Sequence, residues 1–240
     1  MKNQIAHTSW PGRFSSIGIL PVLLAGLVSL QGQPETSGEE GWESLFDGKT
    51  MAGWRGFNQP GFPQQGWVVE DGCLKHLKNG GGGDIVTVRE YANFDFRWEW
   101  RVGPGANSGV KYMVVEARRA PIAHEYQIWD DAGRPVDKES TGAFYDVLAP
   151  RNPPLKPSGQ FNQSRLLVQG LHVEHWLNGE KVLEYELGSR EIEEAVSASK
   201  FKDVPGFGVK IQGPILLQDH GGEVWFRNLE VRRLPARESR

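Results

Sequence analysis

The chain has 240 residues and a single cysteine, Cys73. No internal disulfide can hold the fold in any compartment, and the lone thiol reads as a small buried hydrophobe. Apolar runs with helical spacing are few, which argues against a helical bundle or a βαβ repeat. An excess of positive charge is also missing. The 27 Lys and Arg face 30 Asp and Glu, a balance that offers nothing to a phosphate backbone and excludes a nucleic-acid partner. The run "NGGGG" at 79–83 lacks the Lys-Ser/Thr pair and following helix of a phosphate cradle, so it reads as a flexible loop. No internal repeat is present.

What the chain does have is 30 Gly, 15 Pro and nine Trp. This composition fits a turn-rich, aromatic-rich, all-β protein, and the length suits one domain with a sizeable core. At the N-terminus, Lys2 and Arg13 precede an apolar run from Ile17 to Leu30. That run is shorter than the roughly 20 apolar residues a membrane span needs, and small or polar residues such as Gly32 follow it. Residues 1–32 are therefore expected to be a signal peptide, with no membrane association after cleavage and an exported, periplasmic or extracellular, location. With no cysteine near the cut, a lipoprotein is excluded. Residues 33–41, including "QPETSGEE", read as a linker, and 42–236 as the globular domain.

Short strand-like runs separated by turn signals fill that domain: "WVVEDGCLKHL", "DIVTV", "FDFRWEWRV", "GVKYMVV", "HEYQIWD", "GAFYDVL", "SRLLVQG", "LHVEHWLNGEKVLEYE", "GFGVKIQ" and "EVWFRNLEV". Asn178-Gly179 predicts a type I′ hairpin. One short helix is expected over about Arg190 to Lys200, with Glu191, Glu193 and Glu194 in its first turn. In "FDFRWEWRV", Phe94, Phe96, Trp98, Trp100 and Val102 fall on one face; Asp95, Arg97, Glu99 and Arg101 fall on the other. A face with four aromatics must pack against a second sheet. The architecture expected is a two-sheet jelly-roll sandwich with one apolar interior layer.

The polar residues of such a sandwich gain chemical meaning where strands curve into a groove. In "HEYQIWDD", Glu125 and Gln127 share one face, about 7 Å apart along the strand. Asp130 has the wrong parity unless a bulge adds a residue. "LQDHGGEVWFRN" places Asp219 and His220 in a Gly-flanked turn before the last strand; an acid beside an imidazole can fix its tautomer for proton transfer. Asn107 and Ser108, in "GPGANSGVKY", are turn residues that become ligand contacts if the loop rims the groove. Glu99 and Arg101, on the charged face of 94–102, are further candidates for substrate contact. No cofactor is expected. His124, Glu125, Asp219 and His220 as a mixed metal site, or Asp130 and Asp131 as an oxygen-ligated one, are conceivable, but no ligand spacing supports a divalent metal.

Taken together and in order, "LFDGKTMAGWRG", "WVVEDGCL", "FDFRWEWRV", "NSGVKY", "EYQIWDD", "TGAFYDV", "LNGEKV" and "LQDHGGEVWFRNLEV" resemble the 3-keto-disaccharide hydrolase family, from about Trp42 to Leu234. The resemblance implies a concanavalin A-like jelly roll, export, and a glycoside substrate whose 3-hydroxyl has been oxidised to a ketone. The fold is also similar to that of laminarinase-type glycosidases, whose E-x-D-x-x-E strand carries the nucleophile and acid/base. Here Gln127 replaces the middle acid and Asp130 the last, which argues against ordinary retaining chemistry by two closely spaced carboxylates. A 3-ketone acidifies the C2 proton and favours elimination of the C1 substituent, followed by hydration. For that route the candidates are Glu125 or His220 as base, the other with Asp219 as acid or orienter, and Asn107 and Gln127 as donors to the sugar. Two other functions use the same sandwich: a lectin-like module that stacks sugars on Trp54, Trp67 or Trp129, and a β-glucanase.

Overall fold

The computed structural model describes residues 41–236. The expected signal peptide, and the linker up to residue 40, lie outside the described residues. The strands are β1 (Trp42–Ser44), β2 (Trp54–Gly56), β3 (Trp67–Glu70), β4 (Cys73–His76), β5 (Ile85–Thr87), β6 (Phe94–Val102), β7 (Asn107–Tyr112), β8 (His124–Trp129), β9 (Asn162–Gln169), β10 (His172–Leu177), β11 (Glu180–Glu186), β12 (Leu216–Leu217) and β13 (Val224–Arg233). They form two antiparallel sheets. The larger runs β11-β10-β9-β6-β13-β4-β3, with β1 also paired to β13; the smaller runs β2-β5-β12-β7-β8. This is the all-β sandwich that the alternation implied. The single α-helix among the described residues, α1 (Arg190–Ser197), is capped by Ser189, whose side chain accepts from the Ile192 N–H.

Alternation decides which side chains face inward. On β6, Phe94, Phe96, Trp98, Trp100 and Val102 are all buried, each large aromatic worth about 2–3 kcal/mol relative to exposure. Trp98 meets Tyr126 of the smaller sheet edge-on at 5.1 Å. Polar groups inside the sandwich then fix how the sheets sit. The Tyr112 hydroxyl reaches His175 Nε2 at 2.9 Å and the Tyr185 hydroxyl at 2.5 Å, while His175 Nδ1 donates to the Gly142 carbonyl. Burial drives His175 down to a pKa of about 4 and His124 to about 3, so both are neutral packing groups. Cys73 is buried, and burial raises its thiol pKa.

Two hairpins turn through residue pairs with positive φ at both centres: Asp71-Gly72 at 50° and 72°, and Asn178-Gly179 at 49° and 88°. Three local expectations differ from the structure. "GFGVKIQ" forms turns rather than a strand, because Gly206 and Gly208 take positive φ. "GAFYDVL" makes only isolated bridges: Phe144 pairs with Tyr126 along the free edge of β8, and the positive φ of Gly142 and Asp146 turns the chain away on both sides. The 79–83 glycines are tied down rather than free. Gly83 accepts from the Trp67 indole, Gly81 from His76, and a Cβ at Gly66 would sit 1.6 Å from the Gly81 carbonyl oxygen.

Candidate functional site

The register of β7 with β8 builds the site. Asn107 lies opposite Trp129, Gly109 opposite Gln127 and Lys111 opposite Glu125, so these six share the outward face of the smaller sheet. Four segments wall that face into a cleft of about 410 Å³: residues 121–123 before β8, Tyr145, residues 200–204 after α1, and the turn at 218–220. Its polar lining is Asn107, Lys111, Glu125, Gln127, Tyr145, Lys200, Gln218 and His220, and Pro121, Ile122, Ala123, Phe201 and Val204 supply an apolar wall. Tyr145 is placed by its own N–H, which donates to the Glu125 carbonyl. The Lys200 ammonium lies 4.0 Å over the Tyr145 ring.

Glu125 sits at the bottom, with only 7% of its side chain exposed and the Lys111 ammonium 3.6 Å away. Burial raises its pKa, and the Lys111 charge partly opposes the rise. Lys111 is itself held by the Pro121 carbonyl at 3.0 Å. Space for the carboxylate depends on Gly109. A Cβ there would stand 2.5 Å from Glu125 Oε1. Gln127 uses its own Oε1 to accept from the Ile128 N–H, which turns its amide nitrogen to other partners. Gln218 Oε1 is buried without a hydrogen-bond partner among the described residues. Next to the 219 turn, Asp84 accepts from the Asp219 N–H through Oδ1, and burial raises its pKa as well.

The other anticipated residues have different places. Asp219 shares the turn with His220, but its carboxylate points behind it. It accepts from the N–H groups of Gly83 and Gly221 and pairs with buried His76 Nε2 at 3.0 Å. It therefore holds the turn rather than orienting His220, which is exposed at the cleft rim. Ser108 has the opposite parity to Asn107; it faces the core and donates to the Gln218 carbonyl. No bulge carries Asp130 into line. β8 ends at Trp129, and Asp130 instead accepts from the Gly105 N–H. Asp131 is buried against Thr141. Glu99 and Arg101 belong to β6 in the other sheet: Glu99 binds Arg227 and Asn228, and Arg101 lies 4.2 Å over Trp225. His124 faces the core, so the mixed metal grouping does not assemble. Trp54 and Trp67 are core residues.

Lys111, Tyr145, Lys200 and Gln218 were not anticipated. Lys111 carried a legible signal: in "NSGVKY" it is two steps of alternation from Asn107. Gln218 likewise shares parity with Leu216, which pairs with Lys111. Tyr145 and Lys200 arrive on irregular segments whose position has no local sequence mark.

Residues 41–232 match the model of the 3-keto-alpha-glucoside-1,2-lyase-like domain. The chain belongs to that family. Over 232 aligned residues it is 34% identical to a 3-keto-disaccharide hydrolase of Bacteroides thetaiotaomicron, covering 81% of this chain and 79% of the relative. A crystal structure of a Parabacteroides distasonis protein designated a glycosyl hydrolase superimposes with a TM-score of 0.74 at 34% identity, over 82% of this chain and 95% of that one. A second so designated from the same species gives 0.62 at 29% identity, over 80% and 99%.

Proposed function

We propose that this protein cleaves the glycosidic bond of 3-keto-glycosides, 3-keto-disaccharides among them, by removing the C2 proton, eliminating the C1 substituent and then adding water. The observation that carries the reading is that the residues lining the cleft include one carboxylate, Glu125, with an ammonium beside it. Ordinary glycosidases need two carboxylates across the scissile bond, and the second acid of the strand motif, Asp130, is spent on Gly105. One carboxylate suits proton abstraction next to a ketone.

In this scheme ionised Glu125 takes the C2 proton, and the C2–H electrons move toward the C3 carbonyl. The oxyanion that forms there is stabilised by donors within reach of the same floor: the Lys111 ammonium and the amides of Gln127 and Asn107. Collapse of the enolate expels the C1 oxygen, to which His220 at the rim supplies a proton. Water then adds at C1 of the enone and a proton returns to C2, giving the free 3-keto sugar and the released alcohol. The apolar wall of Phe201, Val204 and Ile122 limits water beside the carboxylate until that last step. The proposal includes export, supported by Lys2, Arg13 and the apolar run from Ile17 to Leu30.

The test pairs each disaccharide with its 3-oxidised form. Release of sugar from the oxidised form alone is the expected result. Release from the unoxidised parent at a similar rate would mean β-glycosidase chemistry, and binding to both without release would mean a lectin-like module.

A further inference from the structure

A second hollow, of about 570 Å³, adjoins the cleft. Asn107 and His220 line both, so together they form the threshold between them. The second hollow is open because its floor has little side-chain mass: Gly103, Pro104, Gly105, Ala106, Gly221 and Gly222. At Gly222 a Cβ would come within 2.7 Å of the Ala106 Cβ. The turn after His220 can therefore lie against the 103–107 turn only as glycine. Its aromatic wall is Trp129, on the same outward face as Glu125 and Gln127 and about 7 Å beyond Gln127 along the strand.

We infer that this hollow is the subsite for the leaving sugar, a neutral pyranose whose face packs against Trp129 while the 3-keto ring occupies the cleft at Glu125. The inference rests on the proposed function and adds the other half of the substrate. Two observations favour a neutral sugar. Indole surface suits the apolar face of a pyranose. Lys78, Asn79 and Glu223 offer both donors and acceptors for hydroxyl groups, with the Glu223 carboxylate also paired to Lys75 at 3.0 Å. The scissile oxygen, lying between the two rings, would sit at the Asn107–His220 threshold, beside the group assigned to protonate it. Arg134 covers one face of the Trp129 ring at 4.0 Å and does not line the hollow, so the sugar packs against the other face. The Trp129 backbone is anchored independently, donating to and accepting from Thr141 Oγ1 at 3.0 Å each, so the indole can be removed without freeing the strand.

The experiment compares a 3-keto-disaccharide with the 3-keto methyl glucoside, which has no second ring. Trp129→Ala is expected to lower kcat/KM for the disaccharide about tenfold, mainly through KM, with the methyl glucoside unaffected. Trp129→Phe should restore most of the loss, and Lys78→Ala, on an exposed side chain, should show a smaller loss with the same selectivity. Equal losses on both substrates, or no loss on either, would overturn the subsite. Calorimetric titration of the wild type and Trp129→Ala with the unoxidised disaccharide and methyl glucoside reads the same contrast without turnover. If the wild type cleaves neither oxidised substrate, the proposed reaction fails; the subsite then stands if the disaccharide binds more tightly than the methyl glucoside and Trp129→Ala removes the difference, and falls otherwise.

Discussion

The outward faces of the two sheets start from the same alternation and end as opposites. On the larger sheet, acids and guanidinium groups pair across an exposed face: Asp95 with Arg165 and Arg232, Glu99 with Arg227, and Glu230 with Arg97, while Arg101 Nε, Arg232 Nε and the Trp225 indole nitrogen have no hydrogen-bond partner among the described residues. Aromatic rings fill the gaps, with Trp42 between Arg97 and Arg232 and Trp225 beneath Arg101. On the smaller sheet the polar groups are sunk below loops, where one carboxylate and two lysines line a cleft. Glu125 has its ammonium at 3.6 Å, and Gln218 Oε1 and Asp84 Oδ2 have no partner among the described residues. A matched, open charge face is a surface. A covered one that keeps a buried carboxylate and an unpartnered amide oxygen in a cleft has binding energy left for a ligand.

The sharpest way to break this contrast is to remove one carboxylate from each face. Glu125→Gln should cut turnover of a 3-keto-glycoside about 10³-fold, while Glu99→Gln leaves it unchanged; equal effects in a steady-state assay would erase the distinction. Next in size is Gly109→Ala. Its Cβ would displace Glu125, and a misplaced base is expected to cost about 10²-fold in kcat with the fold intact by circular dichroism; wild-type kcat would show that the carboxylate position is not critical.

Asp219→Ala probes the turn that carries Gln218 and His220. It removes the carboxylate beside buried His76, whose ring keeps the Gly81 and Gly222 carbonyls, and leaves two N–H groups without their acceptor, so urea unfolding should show a loss of about 2 kcal/mol. An unchanged midpoint would mean that Asp219 does not hold the turn. The smallest effect is a shift in pH dependence. Burial raises the Glu125 pKa and Lys111 opposes the rise; the base acts ionised, so kcat/KM should increase with pH through a limb above the ordinary carboxylate range. Lys111→Met removes the opposing charge together with an oxyanion donor, so the rate falls and the limb of the remaining activity should move to higher pH. A downward shift would contradict the assignment.

These contrasts also mark how far the sequence can be read. The period-two patterns of "FDFRWEWRV" and "HEYQIW" correctly divide core from outward residues, because pleat geometry is local. The second puts Glu125 and Gln127 on one face, and Asn107 joins them only through the β7–β8 register. The patterns do not say which outward face is roofed, since that depends on where residues 121–123, 145, 200–204 and 218–220 cross the sheet, and no local rule governs those crossings. Glu99 and Arg101 were placed in the site for this reason, and Lys200 was left out. Asp130 and Ser108 went astray on single-residue parity: one needed a bulge that is absent, the other alternates inward. The Asn178-Gly179 hairpin is legible because positive φ at both centres is a property of those residues themselves.

The central claim is that Glu125 takes the proton from C2 of a 3-keto ring. Its most direct test is turnover of a 3-keto-disaccharide in deuterated water, stopped before free product exchanges, with the label located by NMR. The account predicts deuterium at C2 of the released 3-keto sugar with the wild type, and neither product nor label in recovered substrate with Glu125→Gln. Product that keeps hydrogen at C2 would contradict it.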